Sequence, residues 1–97
     1  MGAREAIAAI QLHLERLRDE ERDAVRSGQR AALWRAQHEA ARRNRTLEDL
    51  RRYCLQALEH PRFLEPEDEN DYLRGYRQGF QAVLEDIRRI ETRAPRR

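Results

Sequence analysis

Apolar positions along the chain fall into three stretches in which they are spaced alternately three and four residues apart. The first stretch contains Ile7, Ile10, Leu14 and Leu17. The second contains Leu33, Ala36, Ala40, Leu47, Leu50, Cys54 and Ala57, and the third contains Leu73, Tyr76, Phe80, Val83, Ile87 and Ile90. This spacing aligns side chains along one face of an α-helix, and no stretch alternates as a strand does. The pattern therefore predicts an all-α fold.

The first two stretches predict a helical hairpin that turns at Ser27–Gly28. The apolar register shifts by two residues across this pair. Glycine also suits the position just after a helix, where a left-handed conformation is needed. We therefore expect a first helix over about 3–26 and a second over about 30–59. One continuous helix through Gly28 is the alternative.

The segment TLED at 46–49 resembles an N-terminal capping box, which would begin a new helix inside the second predicted one. Arg43, Leu47 and Leu50 nevertheless continue the three-and-four spacing without a slip. We therefore expect the second helix to be uninterrupted.

Proline positions set the bounds of the third predicted helix. Pro61 cannot continue the second helix. Pro66 is followed by acidic residues, which is typical of a helix start because carboxylates there face the positive end of the helix dipole. We expect a loop at 60–66, a third helix over about 67–92 and a frayed tail at 93–97.

The composition is that of a small helical bundle. The chain has 97 residues, of which 39% are hydrophobic and 39% are charged, a mixture typical of long helices and coiled coils. A chain of this length forms one domain, 1–97, with a thin core. Small helical chains often complete such a core against a second copy. We therefore expect the hairpin and the third long helix to form a homodimer.

Charge and cysteine content bear on partners and location. The net charge is only +2, and all 20 basic residues are arginine. Coding bias of a GC-rich genome is the favoured explanation for the arginines, and phosphate binding is the alternative. One cysteine allows no intrachain disulfide and fits a reducing compartment, and no stretch approaches the ~18 apolar residues that span a bilayer. We expect a soluble, cytoplasmic protein that does not bind membranes.

No residues form a recognisable catalytic or metal-binding pattern. His13, His38, His60 and the lone Cys54 lack the close spacing of a zinc site. Ser27 is the only serine and lies in the predicted turn, and Cys54 lies on an apolar seam, where an inert thiol is typical. We expect no enzyme activity, no metal and no cofactor.

The stretch YLRGYRQGF at 72–80 places Gly75 and Gly79 inside the third predicted helix. Two glycines destabilise a helix by about 2 kcal/mol relative to alanine. Close packing of another helix, in the same chain or across a dimer, is the favoured explanation. Tolerance by a strong seam and a ligand that reaches the backbone are the alternatives. We expect helix-packing or dimer contacts from Tyr72, Gly75, Tyr76, Gly79, Phe80 and Val83.

The hexapeptide GYRQGF at 75–80 resembles one unit of the Gly-x-x-x-Gly helical repeat of a family of small adaptor proteins. Those proteins carry the unit many times, whereas this chain has it once. The resemblance therefore implies no fold, partner or activity for the chain.

Trp34 and an arginine cluster are the candidate recognition residues. Trp34 lies one residue off the second apolar stretch, which favours a core position near the first turn, with an exposed partner anchor as the alternative. Arg42, Arg45 and Arg52 lie near one face of the second predicted helix, where with Trp34 they would bind a partner or a polyanion. The favoured function is non-catalytic protein binding by an adaptor, assembly subunit or inhibitor of a bacterium or phage. The alternative is an arginine-rich helical nucleic-acid-binding protein.

Overall fold

Four helices make up the fold in this computed structural model, which describes residues 3–20, 23–59 and 70–93. They are α1 (Arg4–Arg18), α2 (Ala24–Ala40), α3 (Leu47–Leu58) and α4 (Asp71–Arg93). The described residues contain no strand, and the predicted all-α class is confirmed.

The chain turns between α1 and α2 near Asp23, and the predicted turn at Ser27–Gly28 is wrong. The Asp23 carboxylate accepts a hydrogen bond from the backbone N–H of Arg26 at 2.8 Å and so caps the start of α2. Ser27 and Gly28 lie inside α2, where Gly28 is buried. The glycine is therefore part of a helix, and the expected helices over 3–26 and 30–59 do not form.

The expected uninterrupted second helix is also wrong, because α2 ends at Ala40 and α3 begins at Leu47. Asn44 adopts a left-handed conformation with φ of 64°, which asparagine tolerates better than most residues. The Thr46 side chain then accepts from the Asp49 N–H at 3.1 Å, and the Asp49 carboxylate accepts from the Thr46 N–H at 3.0 Å. This reciprocal capping box starts α3.

The last predicted boundaries fall partly outside the described residues. The expected loop at 60–66 and the expected first residues of the third helix lie there, as do positions 94–97. Within the described part, α4 runs through Arg93, which is one residue beyond the expected end.

The hydrophobic core lies where α2 packs on α4, and α1 and α3 each contact both of these helices. Most of its side chains come from the predicted apolar stretches. The largest fully buried ones are Phe80, Ile10, Leu47, Leu50, Ile87, Val83 and Cys54. Alanines fill the narrow parts of the core, including Ala6, Ala32 and Ala36. The apolar spacing thus identified the buried face of every helix.

Three glycines allow the backbones of α2 and α4 to touch. A Cβ atom on Gly28 would lie 2.0 Å from the Tyr72 carbonyl oxygen, and one on Gly75 would lie 1.8 Å from the Val25 carbonyl oxygen. A Cβ on Gly79 would lie 2.7 Å from the Ala32 Cβ. The glycine face of α4 is therefore covered by α2 of the same chain. Homodimerisation stays a prediction, and it would need a different surface.

A buried carboxylate links α4 to α1. Asp86 is 4% exposed, and its two oxygens contact His13 Nε2 at 2.8 Å and Arg89 Nη1 at 3.3 Å. Both oxygens of the buried group thus have partners, as buried polar groups normally do.

Candidate partner-binding groove

Trp34 lies on the outer face of α2 and is 55% exposed, so the favoured core position is wrong. The buried positions of this part of α2 are taken by Leu33 and Ala36. Because consecutive helical residues point about 100° apart, Trp34 turns away from the core that its neighbour enters. The only tryptophan of the chain therefore has more than half of its surface in solvent.

The exposed indole borders a groove formed by α2, the turn after it and Tyr53 of α3, which we call the Trp34 groove. It is lined by Ser27, Arg30, Ala31, Trp34, Arg35, His38, Glu39, Arg42 and Tyr53. A second, smaller depression that the indole also borders is formed with α1 by Gln11, Leu14, Glu15, Arg18, Arg30 and Gln37. Trp34 thus borders two concave surfaces.

Helical spacing places the Trp34 side chain in a row of polar and charged groups. Arg30, Trp34 and His38 follow one another four residues apart along α2, and Arg42 follows in the turn after the helix. The Trp34 and His38 rings lie 4.0 Å apart between centroids, with an interplanar angle of 47°. The histidine ring thus supports one side of the indole and leaves the rest open.

The groove carries more positive than negative charge. Glu39 is the only carboxylate among the described residues that line it. Glu39 is 13% exposed and pairs with Arg42 at 3.3 Å and Arg45 at 3.1 Å. Arg30 donates to the Leu17 carbonyl oxygen at 3.3 Å. Arg35 lies over the Tyr76 ring at 5.9 Å from its centroid in a cation–π arrangement, and no carboxylate of the described residues forms an ion pair with it.

The arginines expected to share one helical face do not do so, because the helix they require is interrupted. Arg42 and Arg45 lie in the turn between α2 and α3, where they share Glu39. Arg52 is exposed on α3 and does not line the Trp34 groove. The pKa of the Asp49 carboxyl is lowered chiefly by its hydrogen bond to the Thr46 backbone, with smaller effects of the charges on Arg45 and Arg52. Of the expected recognition residues, Trp34 and Arg42 line the Trp34 groove, and Arg45 and Arg52 do not.

The residues expected at a helix-packing or dimer interface lie along α4, in contact with one another and with α2. Tyr72 is 43% exposed and stacks on Tyr76 at 6.2 Å between centroids. Tyr76 in turn meets Phe80 edge-on at 5.0 Å. Phe80 and Val83 are fully buried, and Gly75 and Gly79 face α2 as described above.

Three basic residues of the groove were missed by the sequence reasoning, namely Arg30, Arg35 and His38. The four-residue spacing of Arg30, Trp34 and His38 indicates that they share one face of a helix. This face was not considered when a turn was expected at Ser27–Gly28. Tyr53 comes from α3, and its place beside α2 depends on the turn at Asn44. No spacing within one helix could have indicated it.

The structure shows where the candidate metal ligands and the thiol lie among the described residues. No three His, Cys, Asp or Glu side chains among them gather as a metal site would require. Cys54 is fully buried, and burial raises the pKa of its thiol to about 12, which opposes formation of the reactive thiolate. No helix in the described part of the chain is long and apolar enough to cross a membrane.

Comparison with known proteins gives no relative from which a function could be inferred, so the proposal below is based on the geometry of the Trp34 groove. No family model matches the chain, and no curated protein or solved structure is significantly similar to it.

Proposed function

We propose that the chain is a non-catalytic binding protein that captures another protein at the Trp34 groove, as an adaptor, assembly subunit or inhibitor. The observation that carries the proposal is the 55% exposure of Trp34 at the edge of a groove. Burying apolar surface stabilises a complex by about 25 cal/mol per Å². Tryptophan and arginine are also the side chains that most often dominate the free energy of protein–protein binding.

The state of the arginines favours a protein partner over a nucleic acid. A phosphate backbone is bound by many uncompensated basic side chains, but several arginines here already contact carboxylates. Arg42 and Arg45 share Glu39, and Arg51 pairs with Glu48 and Glu91. With a net charge of +2, the surface is better suited to one short contact than to a long polyanion.

A cytoplasmic location is part of the proposal. The single cysteine is a free thiol, buried beneath the surface, as is common in compartments that keep thiols reduced.

Site-specific photocrosslinking in cells of the source organism tests the proposal. A benzophenone amino acid replacing His38, which is exposed in the groove, should give a discrete crosslinked protein. The same probe at Leu55, which is 46% exposed but outside the groove, serves as the matched control. Adding Trp34→Ala should abolish the crosslink at His38 without changing the helical circular dichroism, since an exposed side chain contributes little to the fold. A crosslink that survives Trp34→Ala, or the absence of any crosslink, contradicts the proposal.

A further inference from the structure

We infer that the Trp34 groove binds an acidic segment of its partner protein, in which an apolar side chain packs on the indole and flanking carboxylates pair with Arg30 and Arg35. This inference rests on the proposed function and names the chemistry of the partner. The groove supplies both kinds of contact within one short length of α2.

Charge complementarity indicates that the bound segment of the partner is negatively charged. Among the described residues, neither Arg30 nor Arg35 pairs with a carboxylate, since Arg30 contacts the Leu17 carbonyl oxygen and Arg35 contacts the Tyr76 ring. A segment lying over the groove removes water from both guanidinium groups. A neutral or basic segment would leave these charges desolvated and unpaired, which is costly, whereas carboxylates would pair with them and select against other partners.

Glu39, the acidic residue of the groove lining, does not compete for these arginines. Glu39 is 13% exposed and is held by Arg42 and Arg45 from the turn after α2. Arg42 itself is 62% exposed, so it can contact a further carboxylate while it remains close to Glu39. The groove thus presents arginines on both sides of the indole, Arg30 before it and Arg42 after it.

The apolar part of the site lies between these charges. Ala31 lies one helical turn before Trp34 and adds only a methyl group to the groove, and Tyr53 closes the side formed by α3. An aromatic or leucine side chain placed beside Trp34 would bury both surfaces. From Arg30 to the end of α2 the groove measures about 15 Å, which about ten residues of helix or about five residues of extended chain would cover.

Selection from a random twelve-residue peptide library tests the inference directly. Peptides retained by the wild-type protein, after counter-selection on Trp34→Ala, should be enriched in Asp and Glu around an aromatic residue or leucine. Enrichment of neutral or basic peptides would overturn the inference, as would failure to recover any peptide that depends on Trp34.

The affinity of a selected peptide without tryptophan can be measured from the fluorescence of Trp34, the only tryptophan of the chain. Replacing the Glu and Asp of the peptide with Gln and Asn should weaken binding at least tenfold. Arg30→Gln and Arg35→Gln should each weaken it about fivefold or more, whereas Arg52→Gln, outside the groove, should leave it unchanged. Equal affinities for the acidic and amide peptides would refute the charge argument.

Two further results separate this inference from the proposed function and from the nucleic-acid alternative. A Trp34-dependent crosslink at His38 to a segment without excess acidic residues would sink the inference but leave the proposed function standing. Tighter binding of a twelve-residue oligouridylate than of any selected peptide, with a steep loss of affinity in salt, would replace the peptide with a nucleic acid.

Discussion

Gly75 of α4 lies directly against the backbone of Val25 in α2, where a Cβ on the glycine would come within 1.8 Å of the valine carbonyl oxygen. The reciprocal contact is made by Gly28 of α2, which faces the backbone of α4 between Tyr72 and Tyr76. Each helix thus supplies a glycine at the point where the other helix comes closest. The two backbones can approach this closely because neither residue has a Cβ atom.

Gly75→Ala is expected to destabilise the protein although it improves helix propensity. At an open helical position this change would stabilise by about 1 kcal/mol. Here the new methyl group meets backbone, which cannot move aside without shifting α2 from α4, and overpacking of this kind typically costs about 1–3 kcal/mol. Chemical denaturation followed by circular dichroism measures the difference. Gln81→Ala on the exposed side of α4 is the matched control and should change the free energy of unfolding little; a stabilised Gly75→Ala protein would contradict the packing described.

Gly79 differs from Gly75 because a side chain is its nearest neighbour. The Ala32 Cβ would lie 2.7 Å from a Cβ on Gly79, with the Gln29 carbonyl oxygen next at 2.9 Å. We expect Gly79→Ala to cost less than Gly75→Ala, and Ala32→Gly to recover part of that loss in the double variant. A double-mutant cycle on the free energy of unfolding should give a favourable coupling of at least about 0.5 kcal/mol. Strictly additive effects would show that the two positions do not meet.

The sequence allowed the buried face of each helix to be predicted. It predicted the ends of the helices less well. Ala40 and Leu47 kept the apolar spacing across the turn at Asn44 because both enter the same core from different helices. A continuous pattern therefore concealed an interrupted backbone. The capping box at Thr46 and Asp49 was the better indicator of the interruption, because a capping box marks the residue at which a helix backbone begins.

Gly28 shows why the first turn could not be located from local sequence. A glycine that ends a helix and a glycine that admits a neighbouring backbone both lack a Cβ atom, and the sequence around them can be the same. The difference here is made by Tyr72 and Tyr76, far along the chain in α4. The position of Trp34 depended on the same turn, which is why its exposure and its groove could not be predicted either.

His13 is expected to contribute to stability through the buried carboxylate that it contacts. His13→Ala would leave one oxygen of Asp86 without its 2.8 Å partner, and an unsatisfied buried acceptor costs about 1–3 kcal/mol. His13→Gln, which keeps a side-chain N–H donor, should lose less. Arg89→Ala is the comparison variant. It removes the 3.3 Å partner of the other Asp86 oxygen, but Arg89 is 64% exposed, so that water can take the place of the guanidinium and the loss should stay below about 1 kcal/mol. Equal losses in the free energy of unfolding for His13→Ala and Arg89→Ala, measured by denaturant titration, would show that the contact of His13 with Asp86 contributes no more to stability than the contact of Arg89.

Cys54 is expected to react with thiol reagents only when the protein opens. Its side chain is fully buried, and its pKa of about 12 against an ordinary value of 9.0 lowers the thiolate fraction near pH 8 by about a thousandfold. Alkylation with iodoacetamide should therefore be slow in buffer and fast in denaturant. A Cys54→Ala, Leu55→Cys variant moves the thiol to a neighbouring position that is 46% exposed in the native chain, and it should react rapidly under both conditions. Because reaction at Cys54 requires opening, Gly75→Ala should accelerate it about tenfold for every 1.4 kcal/mol of stability that this substitution removes. Fast labelling of the native wild-type chain would mean that α3 does not stay packed on the core.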